Sequence, residues 1–383
     1  MGQGRLMATR RIAAAVLSRS GDNPAPYAQT RPLEVRTLKL ADPRPGEVLV
    51  RIDAAGLCHS DLSVINGDRP RPMPMALGHE AAATVLALGD EGDGSLAVGD
   101  RVVLVFLPSC GHCVACASGQ GYLCANAAAA NGKGELMRGG SRLSCADSDK
   151  DEHVHHHLGV SAFATQAVVD RRSVVRIDKD IPPEVAALFG CAVLTGVGAV
   201  MNTAQVRPGE SVLIYGLGGV GLAALVGALA SGAQPVVAVD PSPEKRALAL
   251  ELGAAAAVAP GEDEALFGTD VVIETVGKAA VLAQAYKAAR RGGRIVTVGL
   301  PNPSEALEIN ALSLVADGKT LMGSYMGSSI PSRDIPRYIA LWRAGRLPVE
   351  KLLTSVGPLE EINELMDKLA EGKAVRQVIV PGW

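Results

Sequence analysis

The chain has 383 residues, of which 48 % are hydrophobic and only 3 % aromatic, and a formal net charge of −3. That length exceeds one comfortable hydrophobic core and predicts two domains, with Ala, Val and Leu filling helices packed on a sheet. The near-neutral balance argues against a general nucleic-acid or acidic-membrane partner, and no run of about 18 uncharged apolar residues suggests a spanning helix.

The N-terminal “MGQGRLMATRRIAAAVLSRSG” is too short in its apolar part for a secretory signal and reads as a loose leader entering a first strand. From about 11 to 107, Val-rich runs broken by Gly, Pro and Asp (“EVLVRIDAAGLC”, “HEAAATVLALG”, “DRVVLVFLP”) predict a β-barrel-like domain. Residues 108–150 are loop-rich, and “NAAAANGKGELMRGGSRLSCADSDKDEH” reads as a surface excursion. Strand signals return at “TQAVVDRRSVVRI”. A helical stretch, “IPPEVAALFGCAVLTGVGAVMNTAQ”, opens on Pro182 and Pro183. Strands then alternate with helices from “SVLIYGLGGVGLAALVGALASGAQPVVAVD” to “GGRIVTVGL”, which predicts a doubly wound parallel sheet. Two helices and a last strand close the chain.

Gly216, Gly218 and Gly221 form G-x-G-x-x-G between a buried strand and an apolar helix. In that context the glycines permit a tight turn, backbone approach to a pyrophosphate, and close helix–sheet packing. The helix N-terminus offers unpaired N–H groups to phosphate. Asp240 ends the next strand, where a carboxylate accepts from ribose hydroxyls and repels a 2′-phosphate, so NAD is expected over NADP. Lys245 and Arg246 lie just beyond and weaken that preference slightly.

Cys110, Cys113, Cys116 and Cys124 have the spacing of a closed four-thiolate zinc site, which holds structure. An iron–sulfur cage is the competing reading, though the run lacks the ferredoxin Cys-Pro ending. Seven cysteines with four clustered favour metal in a reducing compartment over a disulfide framework. Cys58, His79 and Cys191 are each unremarkable alone; two Cys and one His would make a three-ligand zinc site with a position for substrate.

The stretches “GLCHSD”, “GHE”, the four-Cys lobe, “GCAVLTGVGAVMNTA”, “GLGGVGL”, “VAVD” and “GKAVRQVIV”, in this order from about 45 to 380, carry a family resemblance. The chain resembles the zinc-dependent alcohol dehydrogenases of the medium-chain dehydrogenase/reductase superfamily. It is most similar to the branch with the liver-type and glutathione-dependent formaldehyde dehydrogenases. The resemblance implies an α/β chain: a GroES-like β-barrel catalytic domain over 1–192 with the zinc lobe at 108–126, a Rossmann NAD-binding domain over 193–325, and a return to the catalytic domain over 326–383. It implies two Zn²⁺ per chain, the catalytic one held by Cys58, His79 and Cys191, and NAD(H) as cofactor.

By the same resemblance, Asp61 fixes the His79 tautomer, Glu80 stands behind the metal, and Ser60 contacts the substrate hydroxyl. His59 and Arg376 approach the pyrophosphate. Thr195, Gly219, Val220, Lys245 and Val298 join the cofactor site, and Phe106, His157, Leu158, Leu300 and Tyr325 line the substrate pocket. Ser63 stands where many members place a histidine that receives the proton. The His155–His157 run is not read as a third metal site. The implied activity is reversible hydride transfer between a primary or secondary alcohol and NAD, in a cytoplasmic homodimer or, alternatively, a tetramer. Glutathione-dependent formaldehyde oxidation is the rival activity, disfavoured by Arg69 where that branch has Asp and by alanines where it has Arg. A non-catalytic NAD-binding protein is the rival from another class.

Overall fold

The computed structural model describes residues 9–90, 94–146 and 152–382. The chain divides into two units. One comprises the chain up to Gly190 with 355–373 and 377 onward; the other comprises Cys191–Thr354 with Ala374–Arg376.

The first unit is built on two β assemblies. Strands β1 (Thr9–Leu17), β2 (Leu33–Ala41), β4 (Met75–Ala76), β7 (Leu143–Cys145) and β8 (His153–His156) close a barrel in the order β1-β2-β7-β8-β4. β3 (Glu47–Gly56), β5 (Ala81–Leu88), β6 (Arg101–Leu104), β9 (Gln166–Asp170) and β10 (Val174–Ile177) belong to a second sheet, antiparallel at β10-β6-β5-β3. Ile12, Val16, Leu38, Leu40, Leu49 and Val168 meet in the core, which is what alternating Val- and Ala-rich strands predict when one face is buried. β1 contains the “IAAAVL” run; the eight residues ahead of it, the leader, lie outside the described residues.

Three departures from the sequence reading have local causes. The excursion after Cys124 holds a helix, Ala125–Lys133, which a run of alanines favours and Gly134 ends in the left-handed conformation. Residues 147–151 of that excursion lie outside the described residues. The stretch from Pro183 is not one helix: it breaks at Cys191 (φ −140°, ψ −69°), between Pro183–Ala187 and Ala192–Gly198. The second unit runs on to Thr354 rather than ending at 325. Its helix Pro331–Arg343 is held there by Asn202, whose amide donates to Asp334 Oδ2 (3.2 Å) and Tyr338 OH (3.3 Å), and by Arg346 on the Ala230 carbonyl.

That unit carries a six-stranded parallel sheet: β11 (Val212–Tyr215), β12 (Val236–Val239), β13 (Ala256–Val258), β14 (Thr269–Glu274), β15 (Ala289–Thr297) and β16 (Thr320–Gly323), in the order β13-β12-β11-β14-β15-β16. The order reverses beside β11, which puts a ligand crevice at the carboxyl ends of β11 and β14. No single helix among the described residues is long and apolar enough to cross a membrane.

Candidate active site

The short helix α1 (His59–Ile65) begins at Cys58 because Asp61 turns back and accepts from the Cys58 backbone N–H (3.1 Å). This is the reciprocal arrangement of a helix start, and it leaves Ser60 out of the capping role. The other Asp61 oxygen, Oδ1, accepts from Gly78 N–H (3.1 Å) and faces His79 Nδ1 at 3.2 Å. Asp61 therefore holds one ring nitrogen of His79 and directs Nε2 away from itself. Cys191 follows Gly190 directly, and Gly190 packs on the Leu104 carbonyl and on Glu80 so closely that a methyl group would lie 2.5 Å from that oxygen.

Cys58, His79 and Cys191 offer ligand atoms that all lie within 4.8 Å of one another, and all three residues are buried. Among the described residues no fourth His, Cys, Asp or Glu joins that set. Two thiols and an imidazole suit Zn²⁺, and three protein ligands are the number a catalytic zinc takes. The electrostatics point the same way. Burial alone would raise the Asp61 carboxyl, but His79 and His157 hold it at about 2. Burial opposes charge on His79, and the Asp61 carboxylate overrides it, raising His79 well above its usual range. A metal ion bound at Cys58, His79 and Cys191 would take the place of that ring proton.

Glu80 is fully buried behind His79, against Gly56, where any side chain would collide with its carboxylate. Ser60 Oγ lies 3.8 Å from Cys58 Sγ. His59 is exposed at the helix start, and Ser63 Oγ donates to the His59 carbonyl (2.8 Å). Phe106 meets the His79 ring edge-on at 5.6 Å, and Leu158 is buried with φ +51°. His157 turns to Asp61, with Nδ1 3.1 Å from Oδ1 and its ring 5.4 Å from that of His79. His156 is a separate, structural group: its Nε2 accepts from the Arg142 N–H (3.1 Å), and burial lowers it to about 3.

The four lobe cysteines also place their sulfurs within 4.8 Å of one another. Cys110 and Cys116 Sγ are 3.8 Å apart, and Cys113 and Cys124 Sγ 4.0 Å. A tetrahedron with such edges seats an ion about 2.3 Å from each corner, the zinc–thiolate distance. Burial pushes the Cys116 thiol up to about 12, whereas the N–H groups of His112 and Cys113 overcome burial at Cys110 and hold it at about 6. Four crowded thiolates need a cation to coexist. No disulfide joins any of the seven cysteines.

In the second unit, β11 leads into the glycine turn and the apolar helix α2 (Gly219–Ala230), which has neither a side-chain cap nor an acidic residue in its first turn. Gly216 has φ +89°. A methyl group on Gly221 would sit 1.8 Å from the Gly216 carbonyl oxygen, while beside Gly218 nothing approaches within 4 Å. That open, N–H-lined edge fits a pyrophosphate. Arg376 packs against Gly219. Asp240 stands at the end of β12, fixed by N–H groups of Leu217 (2.6 Å) and Ser242 (2.8 Å). Arg246 is turned onto the Asp240 and Pro241 carbonyls, and Lys245 lies in the first turn of the next helix.

Val298 donates to the Glu274 carbonyl (2.8 Å) just past β15, and Thr195 is buried in the helix after Cys191. Leu300 is half exposed, and Tyr325 follows β16. Two residues that were not singled out brace this end of the sheet. Thr275 Oγ1 donates to the Tyr215 and Gly216 carbonyls, and Glu274 accepts from the N–H groups of Val276 and Gly277. Their place in “VVIETVG”, at a strand's carboxyl end, was the available signal.

Residues 44–179 match the alcohol dehydrogenase GroES-like domain family, and residues 219–343 the zinc-binding dehydrogenase family. An S-(hydroxymethyl)glutathione dehydrogenase from Synechocystis sp. is 34 % identical over 361 residues, covering 91 % of this chain and 96 % of its own. Another from Escherichia coli is 34 % identical, covering 92 % and 97 %. Among solved structures, the alcohol dehydrogenase zinc-binding domain protein from Burkholderia ambifaria superposes with a TM-score of 0.90 at 34 % identity, covering 98 % of this chain and 100 % of that one. The benzyl alcohol dehydrogenase from Acinetobacter calcoaceticus gives 0.88 at 30 % identity, covering 97 % and 100 %.

Proposed function

This chain belongs to the zinc-dependent alcohol dehydrogenases of the medium-chain dehydrogenase/reductase superfamily, and from that premise we propose that it interconverts hydrophobic alcohols and their carbonyl products with NAD. The observation that carries the reading is the convergence of Cys58, His79 and Cys191. When bound, zinc at that set supplies Lewis-acid polarisation of the substrate oxygen, and NAD supplies the hydride acceptor.

The chain's own residues do the rest. Asp61 orients His79 and keeps it a strong donor. Ser60, beside Cys58, receives the hydrogen bond of the substrate hydroxyl and is the first carrier of its proton. Ser63 does not pass that proton on as an imidazole would, because its hydroxyl is engaged by the His59 carbonyl. The relay therefore ends in water. Asp240 selects NAD, and Arg246, occupied by two carbonyls, is not turned to a 2′-phosphate.

A hydrophobic alcohol is preferred over S-hydroxymethylglutathione because Arg69 replaces the acid, and Ala127–Ala130 the cation, expected for that conjugate. The curated relatives named above make the glutathione conjugate the second reading. Initial rates across aliphatic and benzylic alcohols, with NAD and NADP and with or without glutathione, decide between them. Turnover that requires glutathione would overturn the first reading, and an NADP preference would overturn the role of Asp240.

A homodimer through the β16 edge of the parallel sheet fits the exposed apolar residues of the helix that precedes it in the chain, where Leu312, Leu314 and Val315 are 74 %, 40 % and 81 % exposed. A cytoplasmic setting suits a chain with seven thiols and no disulfide.

A further inference from the structure

One carboxylate oxygen in the first unit has three claimants. Asp61 Oδ1 lies 3.1 Å from Gly78 N, 3.2 Å from His79 Nδ1 and 3.1 Å from His157 Nδ1. The side chains of Asp61, His79 and His157 are essentially inaccessible to solvent. Gly78 is well aligned as a donor, whereas the His157 ring is off the line a good hydrogen bond needs. An imidazole nitrogen packed this close to a buried carboxylate carries its hydrogen there, since two lone pairs would repel.

The turn that delivers His157 is built for the task. Leu158, Gly159 and Ser161 all have left-handed backbone (φ +51°, +68° and +55°), and Leu158 and Ser161 are residues that rarely adopt it. Such strain persists where surrounding contacts fix it. Ser161 Oγ donates to the Ala76 carbonyl (2.9 Å) and accepts from His157 N–H (3.1 Å). Ala162 N–H donates to the Gly78 carbonyl (3.0 Å). The turn is thus tied to the strand end that carries His79.

We propose that His157 is a positioning residue for His79: by drawing on the carboxylate they share, it limits how strongly Asp61 polarises the imidazole that binds the catalytic zinc. Each donor on Oδ1 takes part of its negative charge, so a second imidazole makes Asp61 a weaker acceptor toward the first. His79 is then a less basic ligand, and the zinc it holds is bound less tightly and is more electrophilic. The turn sets that balance by fixing where the second ring sits.

The inference rests on the assignment of Cys58, His79 and Cys191 to zinc, and the test separates the two. Zinc release to a chelator is followed on the full chain, together with the absorption of enzyme carrying cobalt(II) at the catalytic site. His157→Phe keeps a ring and removes the donor, and it should release the labile zinc roughly 10-fold more slowly and shift the cobalt bands. His157→Asn keeps an N–H near the Nδ1 position and should behave as the unaltered chain. The lobe zinc should be unaffected in both. If His157→Phe does not fold, His157→Gln, whose amide is displaced from that position, should show the slower release instead. Unchanged or faster release, or Phe and Asn variants that behave alike, would overturn the inference with the zinc assignment intact. A single zinc per unaltered chain would overturn the assignment and this inference with it.

Discussion

At the scale of single residues, the two proposed zinc sites separate by what a substitution costs. Cys191→Ser removes one of three donors. We expect zinc content to fall from about two to about one per chain. Turnover should fall below detection while thermal unfolding of the remaining structure stays close to that of the parent, as metal analysis beside calorimetry would show. The ligands themselves were not legible from pattern: Cys58, His79 and Cys191 share no period or spacing, and only the family resemblance gathers them. The glycine turn was legible because each glycine answers a steric demand, as the 1.8 Å approach at Gly221 illustrates. The approach of His157 to Asp61 was not legible, because it depends on left-handed backbone at Leu158 and Ser161, which neither residue type signals.

At the scale of elements, the lobe and the sheet make different demands. Cys113→Ser should lower the unfolding temperature by several degrees while activity per folded molecule changes less than twofold, measurable by calorimetry and active-site titration. In the sheet, Asp270 joins β14 to the start of β11, accepting from Ser211 N–H (2.9 Å) and Oγ (2.7 Å), with Arg290 on its other oxygen (2.6 Å). Burial would raise this carboxyl, but those donors hold it at about 2. A carboxyl depressed in the folded state stabilises the fold above its ordinary pKa of about 4, and that contribution fades as pH falls toward 2. Asp270→Asn should therefore lose on the order of 2 kcal/mol at neutral pH, with the gap to the parent closing below about pH 4 in a urea series. Strand and helix order were readable because apolar runs and glycine turns punctuate them. The break at Cys191 was not, since “FGCAVLTG” continues a helical pattern and only tertiary packing of Gly190 interrupts it. The end of the second unit was also obscured, because Pro331–Arg343 attaches through buried polar groups rather than through any sequence period.

At the scale of the whole molecule, the exposed apolar side chains at Leu312 and Val315 bear on assembly. Leu312→Glu with Val315→Glu should convert the proposed dimer to a monomer in sedimentation without loss of either zinc. An unchanged sedimentation coefficient would overturn the proposed interface. An open sheet has two borders. β16, four residues long, ends one side and follows the helix that carries those apolar residues; β13, three residues long, ends the other. Pairing of β16 with its own copy, as proposed, would use the same border twice and exhaust it. In the proposed pair, growth through this border would stop at two copies instead of running on as a ribbon.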